Sequence, residues 1–311
     1  MNNPNRSHII ILLLTSSLSA LVILGGCVKP HSSFDNDAYR REIEQWKDKR
    51  LTRLTSDTGW LTLCGLYWLK EGENSVGSDS TSDVILPSGK APGKVGTILS
   101  EQGTLRFDAQ PHAEIKSQDS LITSIVMHSD EEGDPTTLNI GTLSFYIIKR
   151  GDQLGVRVKD KQNRARLNFK GLEYFPLNPV YRFEATFERY APAKILEIPS
   201  MVGTIEKDSC PGALAFTFNG TAHRIDVVIE KGSENQFFIM FGDETNGKET
   251  YQIGRQLYTD LPDSNNKVIL DFNKAYNWPC VFTEYATCPI PPKQNRLPFR
   301  VEAGEKMYKG H

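Results

Sequence analysis

Apolar and polar positions follow different periods in successive parts of the chain. Residues 9–24 are almost continuously apolar, interrupted only by Thr15, Ser16, Ser17 and Ser19. Over residues 35–56 the spacing becomes that of an amphipathic helix. Ile43, Trp46, Arg50 and Leu54 fall near one face, and Arg40, Glu44, Lys47 and Lys49 lie largely elsewhere, as 3.6 residues per turn requires. Asp35 or Asn36 can cap its first turn. The helix holds too few heptads for a coiled coil, so it is expected to lie against a domain.

Beyond residue 57 the apolar stretches shorten to strand length. Residues 60–69, Trp-Leu-Thr-Leu-Cys-Gly-Leu-Tyr-Trp-Leu, are apolar on both parities, which predicts a strand buried on both faces. Residues 72–83 read as a polar turn region. Short strands are expected at 84–86, 95–99, 104–107, 113–115 and 122–127, with Gln102-Gly103 as a hairpin turn. A clearer hairpin joins 143–148 to 154–159 through Arg150-Gly151-Asp152. Further strands are expected at 181–190, 194–198, 213–218, 225–229, 237–241 and 268–272. Many short strands with one strong helix predict an all-β fold. The expected form is an antiparallel sandwich or barrel-like domain with the N-terminal helix packed against it. No fixed-period repeat is visible, which argues against a propeller or solenoid.

The first apolar run is the core of a targeting signal. A weakly cationic start with Arg6 precedes it, and Leu24-Gly25-Gly26-Cys27 follows. Small residues before a Cys resemble a lipoprotein signal, in which the Cys is acylated and becomes the new N-terminus. At about 16 residues the run is short of the roughly 20 that span a bilayer comfortably. The reading divides the chain into a signal peptide at 1–26, a lipidated tether at 27–34, the helix at 35–56 and a single β-rich domain at 57–311. Val28 follows the Cys where an Asp would favour inner-membrane retention. A Gram-negative cell would therefore hold the protein on the outer membrane, facing the periplasm.

Composition adds mainly exclusions. Charged residues make up 24% and the net charge is -2, without the clustered positive charge of a nucleic-acid surface. Cys64, Cys210, Cys280 and Cys288 allow three full pairings, among which sequence cannot choose. The most local candidate disulfide is Cys280–Cys288, with Pro279 and Pro289 beside it. His31, His112, His128, His223 and His311 are scattered, with no metal-binding spacing, so no metal or other cofactor is expected. Residues 242–249 have the glycine and lysine spacing of a phosphate loop. The last position is Glu249 instead of the required Ser or Thr, so a β-turn is expected. No G-x-S-x-G elbow is present.

Two stretches are dense in residues that a core does not need: 243–255, and 271–296 with its Asn, Tyr, Pro and Cys. They carry a resemblance. The chain is similar to the bacterial family catalogued as domain of unknown function 1684. The residues in common include Gly59-Trp60-Leu61-Thr62-Leu63 through Gly65-Leu66-Tyr67-Trp68-Leu69, and Lys149-Arg150-Gly151-Asp152 with Gly155-Val156-Arg157-Val158-Lys159-Asp160. They also include Phe169-Lys170-Gly171-Leu172-Glu173-Tyr174-Phe175-Pro176, Lys248-Glu249-Thr250-Tyr251, Gly254-Arg255, Asn295-Arg296-Leu297 and Ala303-Gly304-Glu305-Lys306. Trp278 departs from the pattern, since similar sequences usually have a proline there. The resemblance implies one continuous domain and no established activity. Relatives without secretion signals would lower the case for a structural disulfide.

Three functions remain as expectations. The first is a lipid-anchored binder of a small polar or anionic ligand, through Arg150, Arg157, Arg255, Tyr276, Asn277, Tyr285, Asn295 and Arg296. Arginines would offer forked donors to a carboxylate or phosphate. The second is a hydrolase-like enzyme using Asp243, Glu249 and Asp271 for acid–base chemistry, or Cys280 as nucleophile. The third is an envelope scaffold. The expected partners are a membrane through the lipid and a small molecule, and no nucleic acid.

Overall fold

The computed structural model describes residues 35–310. The signal segment, Cys27 and the tether therefore lie outside the described residues. The fold is all-β with a helix at its N-terminal end. The helix spans Asn36–Thr55, and the Asp35 carboxylate accepts from the backbone N–H of Asp37 and Ala38. It buries Tyr39, Ile43, Arg50 and Leu54, close to the expected face.

The β part has two units with separate cores. The first is a sandwich. One of its sheets has the order Leu63–Trp68, Gln153–Asp160, Leu143–Arg150, Leu138–Ile140, Lys116–Ser117, Ser120–Leu121. The other runs Val84–Ile85, Gly72–Gly77, Gly96–Glu101, Thr104–Ala109, Ser124–Val126. Val76, Ile98, Phe107, Phe145, Ile147, Val156 and Val158 interdigitate between them. The second unit is a six-stranded antiparallel sheet in the order Arg255–Asp260, Gln236–Phe241, Thr221–Ile229, Ile205–Phe218, Arg182–Pro199, Lys267–Asp271. Its first and last strands approach each other, so the sheet curls nearly into a barrel. Phe187, Phe216, Phe237, Ile239, Phe241, Leu270 and Phe272 fill the inside.

Several sequence readings change. Residues 60–69 begin as a short 3-10 turn, Trp60–Thr62, and only Leu63–Trp68 is strand. Burial along it fades from Leu63 and Gly65 to exposed Trp68, because it lies at the edge of its sheet. The turn region at 72–83 contains a strand, Gly72–Gly77. Its polar residues mark the outer face, and Asn74 turns inward to donate to the carbonyls of Lys70 and Gly72. Residues 113–115 form no strand. Residues 181–190 and 194–198 are one long strand, irregular between Arg189 and Lys194. The Gln102-Gly103 turn is as expected, with both residues at positive φ, 48° and 81°, the geometry of a tight hairpin between right-twisted strands.

Gln236–Phe241 is the strand on which the site depends. Side chains alternate across a sheet. Phe237, Ile239 and Phe241 point into the barrel, while Phe238 and Met240 point outward, against Trp278, Ala286 and Cys288. The covering segment is the Tyr-, Pro- and Cys-rich stretch, cross-linked by a Cys280–Cys288 disulfide whose Cα atoms are 6.2 Å apart.

Candidate functional site

Between the sandwich, the outer barrel face and the end of the helix lies a cleft of about 900 Å³. Its floor is apolar, formed by Phe238, Met240, Trp278 and Ala286. Its walls are charged, with both signs on each side.

The sandwich side supplies Lys149, Arg150 and Arg157, together with Asp130 and Glu131. Val156 and Val158 face the sandwich core, so alternation sends Arg157 to the opposite side, toward the barrel. A residue there would ordinarily be solvated, but the second unit covers it and leaves Arg157 4% exposed. Its guanidinium stacks 5.0 Å from the Trp60 ring centroid, and its NH2 donates to the Thr287 hydroxyl at 3.0 Å. Its Nε has no hydrogen-bond partner. No ion pair to Arg157 is present among the described residues. Burial works against its charge and nearby Arg150 adds to the cost, while Tyr146 and Asp130 favour the charge without outweighing burial. Arg150, in contrast, is balanced by Asp130, NH2 to Oδ2 at 2.9 Å, and its Nε lies 3.6 Å from Glu206 Oε1. Arg150 Nε also donates to Thr287, at 3.1 Å. Two guanidiniums thus converge on one neutral hydroxyl oxygen.

The barrel side supplies Glu206, Asp208 and Glu230, together with Lys207 and Lys231. Glu206 and Asp208 alternate onto the same side of Ile205–Phe218, and Glu230 follows the end of Thr221–Ile229. Burial pushes all three carboxyls above their usual range, and for Glu230 nearby Asp208 and Glu206 add to the rise. The Tyr258 hydroxyl donates to Glu230. Tyr276 and Asn277 also line the cleft. Tyr276, covered by the Arg50 guanidinium 4.6 Å from its ring centroid, has a phenol pushed up by burial to about 12. Asn277 is anchored by its side-chain N–H to the Lys306 carbonyl at 2.7 Å, while its Oδ1 is buried without a partner.

Of the eight residues expected to bind a ligand, the cleft gathers Arg150, Arg157, Tyr276 and Asn277. The other four stand elsewhere. Arg255 is wholly buried, paired with Asp243 at 3.0 Å. Asn295 is consumed by the backbone, accepting from Asp226 N–H and donating to the carbonyls of Asp226 and Met240. Arg296 is exposed beside Gly242, and half-buried Tyr285 sits near Tyr67 and Cys64.

The expected acid–base residues are likewise corrected. Asp243 is held by Arg255 and accepts from the N–H of Thr245 and Val301. Glu249 pairs with Arg300 at 2.6 Å, which holds its carboxyl below the usual range. Asp271 accepts from the Tyr39 hydroxyl and Asn273 at the helix interface. Cys280 is in the disulfide. None of the three carboxylates lines the cleft. Sequence reading missed Glu206, Asp208, Glu230, Thr287 and Trp60. The one available signal was the acidic alternation Glu206, Asp208 in a strand extension too polar to be recognised.

The family model described as protein of unknown function (DUF1684) matches residues 167–306, and this part of the chain is similar to that family. Among solved structures, the chain is similar to an uncharacterised protein of Haloarcula marismortui solved by NMR. The identity is 27%, covering 47% of this chain and 81% of that one, with a TM-score of 0.38. A structure described as concerning phosphothreonine-dependent FHA domain interactions matches at 12% identity and a TM-score of 0.22, covering 30% of this chain and 92% of that one. No curated protein matches the chain significantly.

Proposed function

We propose that the chain is a membrane-anchored binding protein whose cleft takes a small anionic ligand. The observation that carries this reading is Arg157. A buried guanidinium without a carboxylate partner costs several kcal/mol. A carboxylate or phosphate placed where Arg150 and Arg157 converge on Thr287 would offset that cost with charge-assisted, forked hydrogen bonds. The cleft volume, about 900 Å³, lies in the range of small-molecule sites. The hydrolase reading built on Asp243, Glu249, Asp271 and Cys280 has no such support, since each is committed to structure.

Full-length protein in detergent, titrated calorimetrically with malonate and inorganic phosphate, should bind at least one of them. Arg157→Met should bind at least about ten-fold more weakly, equivalent to about 1.4 kcal/mol. The variant should be at least as stable as the wild type, because it removes an unpaired buried charge. Equal affinities in wild type and variant would remove Arg157 from the site.

The anchor reading rests on residues 1–27, outside the described part. Among the described residues no helix is long and apolar enough to cross a membrane. A lipid on Cys27 would hold the cleft in the cell envelope, on the periplasmic face of the outer membrane in a Gram-negative cell. Metabolic labelling with a palmitate analogue should tag the wild type and miss Cys27→Ala, whereas equal tagging of both would rule out that site.

A further inference from the structure

The cleft offers more than an anion pole. Asp208 makes no ion pair among the described residues, and Glu230 is met by the Tyr258 hydroxyl, a neutral donor. The antiparallel register pairs Ser209 with Ile229, so one step further Asp208 stands opposite Glu230. Directly opposed side chains have Cβ atoms about 4.5–5.5 Å apart, and like charges there repel. The same wall carries Glu206, two residues away on the same side. Arg157, also without an ion pair, lines the same cleft. Arg157 and Asp208 thus share one enclosure without an ion pair between them, while Arg150 and Glu206 meet across it at 3.6 Å.

We infer that the ligand is dipolar: an anionic group on Arg157 and Arg150 at one end, and an ammonium group on Asp208 and Glu230 at the other, joined by an apolar middle. This rests on the anion reading above and extends it. Three observations shape the class of ligand. The same cleft is floored by Phe238, Met240 and Trp278, which suits methylene groups. Trp278 is 2% exposed, yet its indole N–H has no partner, and neither does buried Asn277 Oδ1. Both atoms are sealed from solvent, so a ligand would meet the apolar surface of these two residues first. Finally, among the described residues no three of His, Cys, Asp or Glu stand together as a metal site. An organic cation therefore suits the acidic pole better than a metal ion. A phenol beside the carboxylates, Tyr258, adds a ring face for the ammonium.

A matched series tests this. Full-length protein in detergent is titrated at neutral pH with 4-aminobutanoate, 6-aminohexanoate and 8-aminooctanoate, each against the alkanoate of the same length. At least one amino acid should bind about ten-fold more tightly than its alkanoate. The Asp208→Asn, Glu230→Gln double variant should bind the two members of each pair alike. Its urea midpoint should match or exceed the wild type's, because the substitutions relieve repulsion. Arg157→Met should weaken the whole series. If the alkanoates bind as tightly as their amino counterparts at every length, the dipolar inference fails and the anion reading stands. If neither series binds, both fall.

Discussion

Arg255→Ala is expected to cost about 3–5 kcal/mol of folding stability, the penalty for removing one member of a buried ion pair. The guanidinium lies inside the protein, and its loss would strand Asp243 without a counter-charge. The same fork holds the C-terminal segment in place. NH2 donates to the Val301 carbonyl at 2.7 Å, and NH1 donates to the carbonyls of Ala303 and Glu305. Val301 and Ala303 belong to the barrel core, so the substitution loosens part of that core as well. Arg255→Lys should recover only part of the loss, since an ammonium cannot reproduce a planar fork. Urea unfolding followed by tryptophan fluorescence measures the difference. A loss below about 1 kcal/mol would contradict the assignment of Arg255 as a structural residue.

Glu305→Ala should have a comparable effect at a different joint. Glu305 is fully buried. Its Oε1 accepts from Arg50 Nε at 2.8 Å, and its Oε2 accepts from the Asn277 N–H at 2.9 Å. Without it, Arg50 keeps a buried charge that no carboxylate answers, again about 3–5 kcal/mol. The damage should be local to the helix. Tyr39 still clasps Asp271 near its start, so hydrogen exchange should accelerate toward Thr55 and leave the first turns protected. Uniform protection along Asn36–Thr55 would show that Glu305 does not fasten the helix. Arg50, Arg53 and Leu54 line the cleft, so undocking this end would also open the site.

The readable part of this chain was whatever repeats a period against one core. The helix was legible because its cap and buried face are local. The 143–148 and 154–159 hairpin was legible because apolar residues alternate around a glycine turn. Gly72–Gly77 was hidden because its inward residue is Asn74, a polar side chain satisfied by backbone. The extension of Ile205–Phe218 was hidden because Glu206 and Asp208 occupy the positions that alternation would make apolar. The site followed the same rule. Arg157 could be named as a forked donor, but nothing local showed that the barrel would bury it. Arg255 and Asn295 looked equally available and proved to be internal, because their partners lie tens of residues away in the chain. Thr287 became visible only when two arginines were seen to meet on it.

The Gln236–Phe241 strand leaves little room for change in either direction. Phe237 and Ile239 fill the barrel while Phe238 and Met240, on the same six residues, floor the cleft. A mutation that reshapes the floor to suit a new ligand would displace neighbours that hold the barrel shut. Diversification of the pocket is therefore pushed to its rim, where the partly exposed Glu206, Asp208 and Glu230 can vary without unseating the interior. A lineage of such proteins could change what it captures by exchanging rim residues while inheriting the floor almost intact.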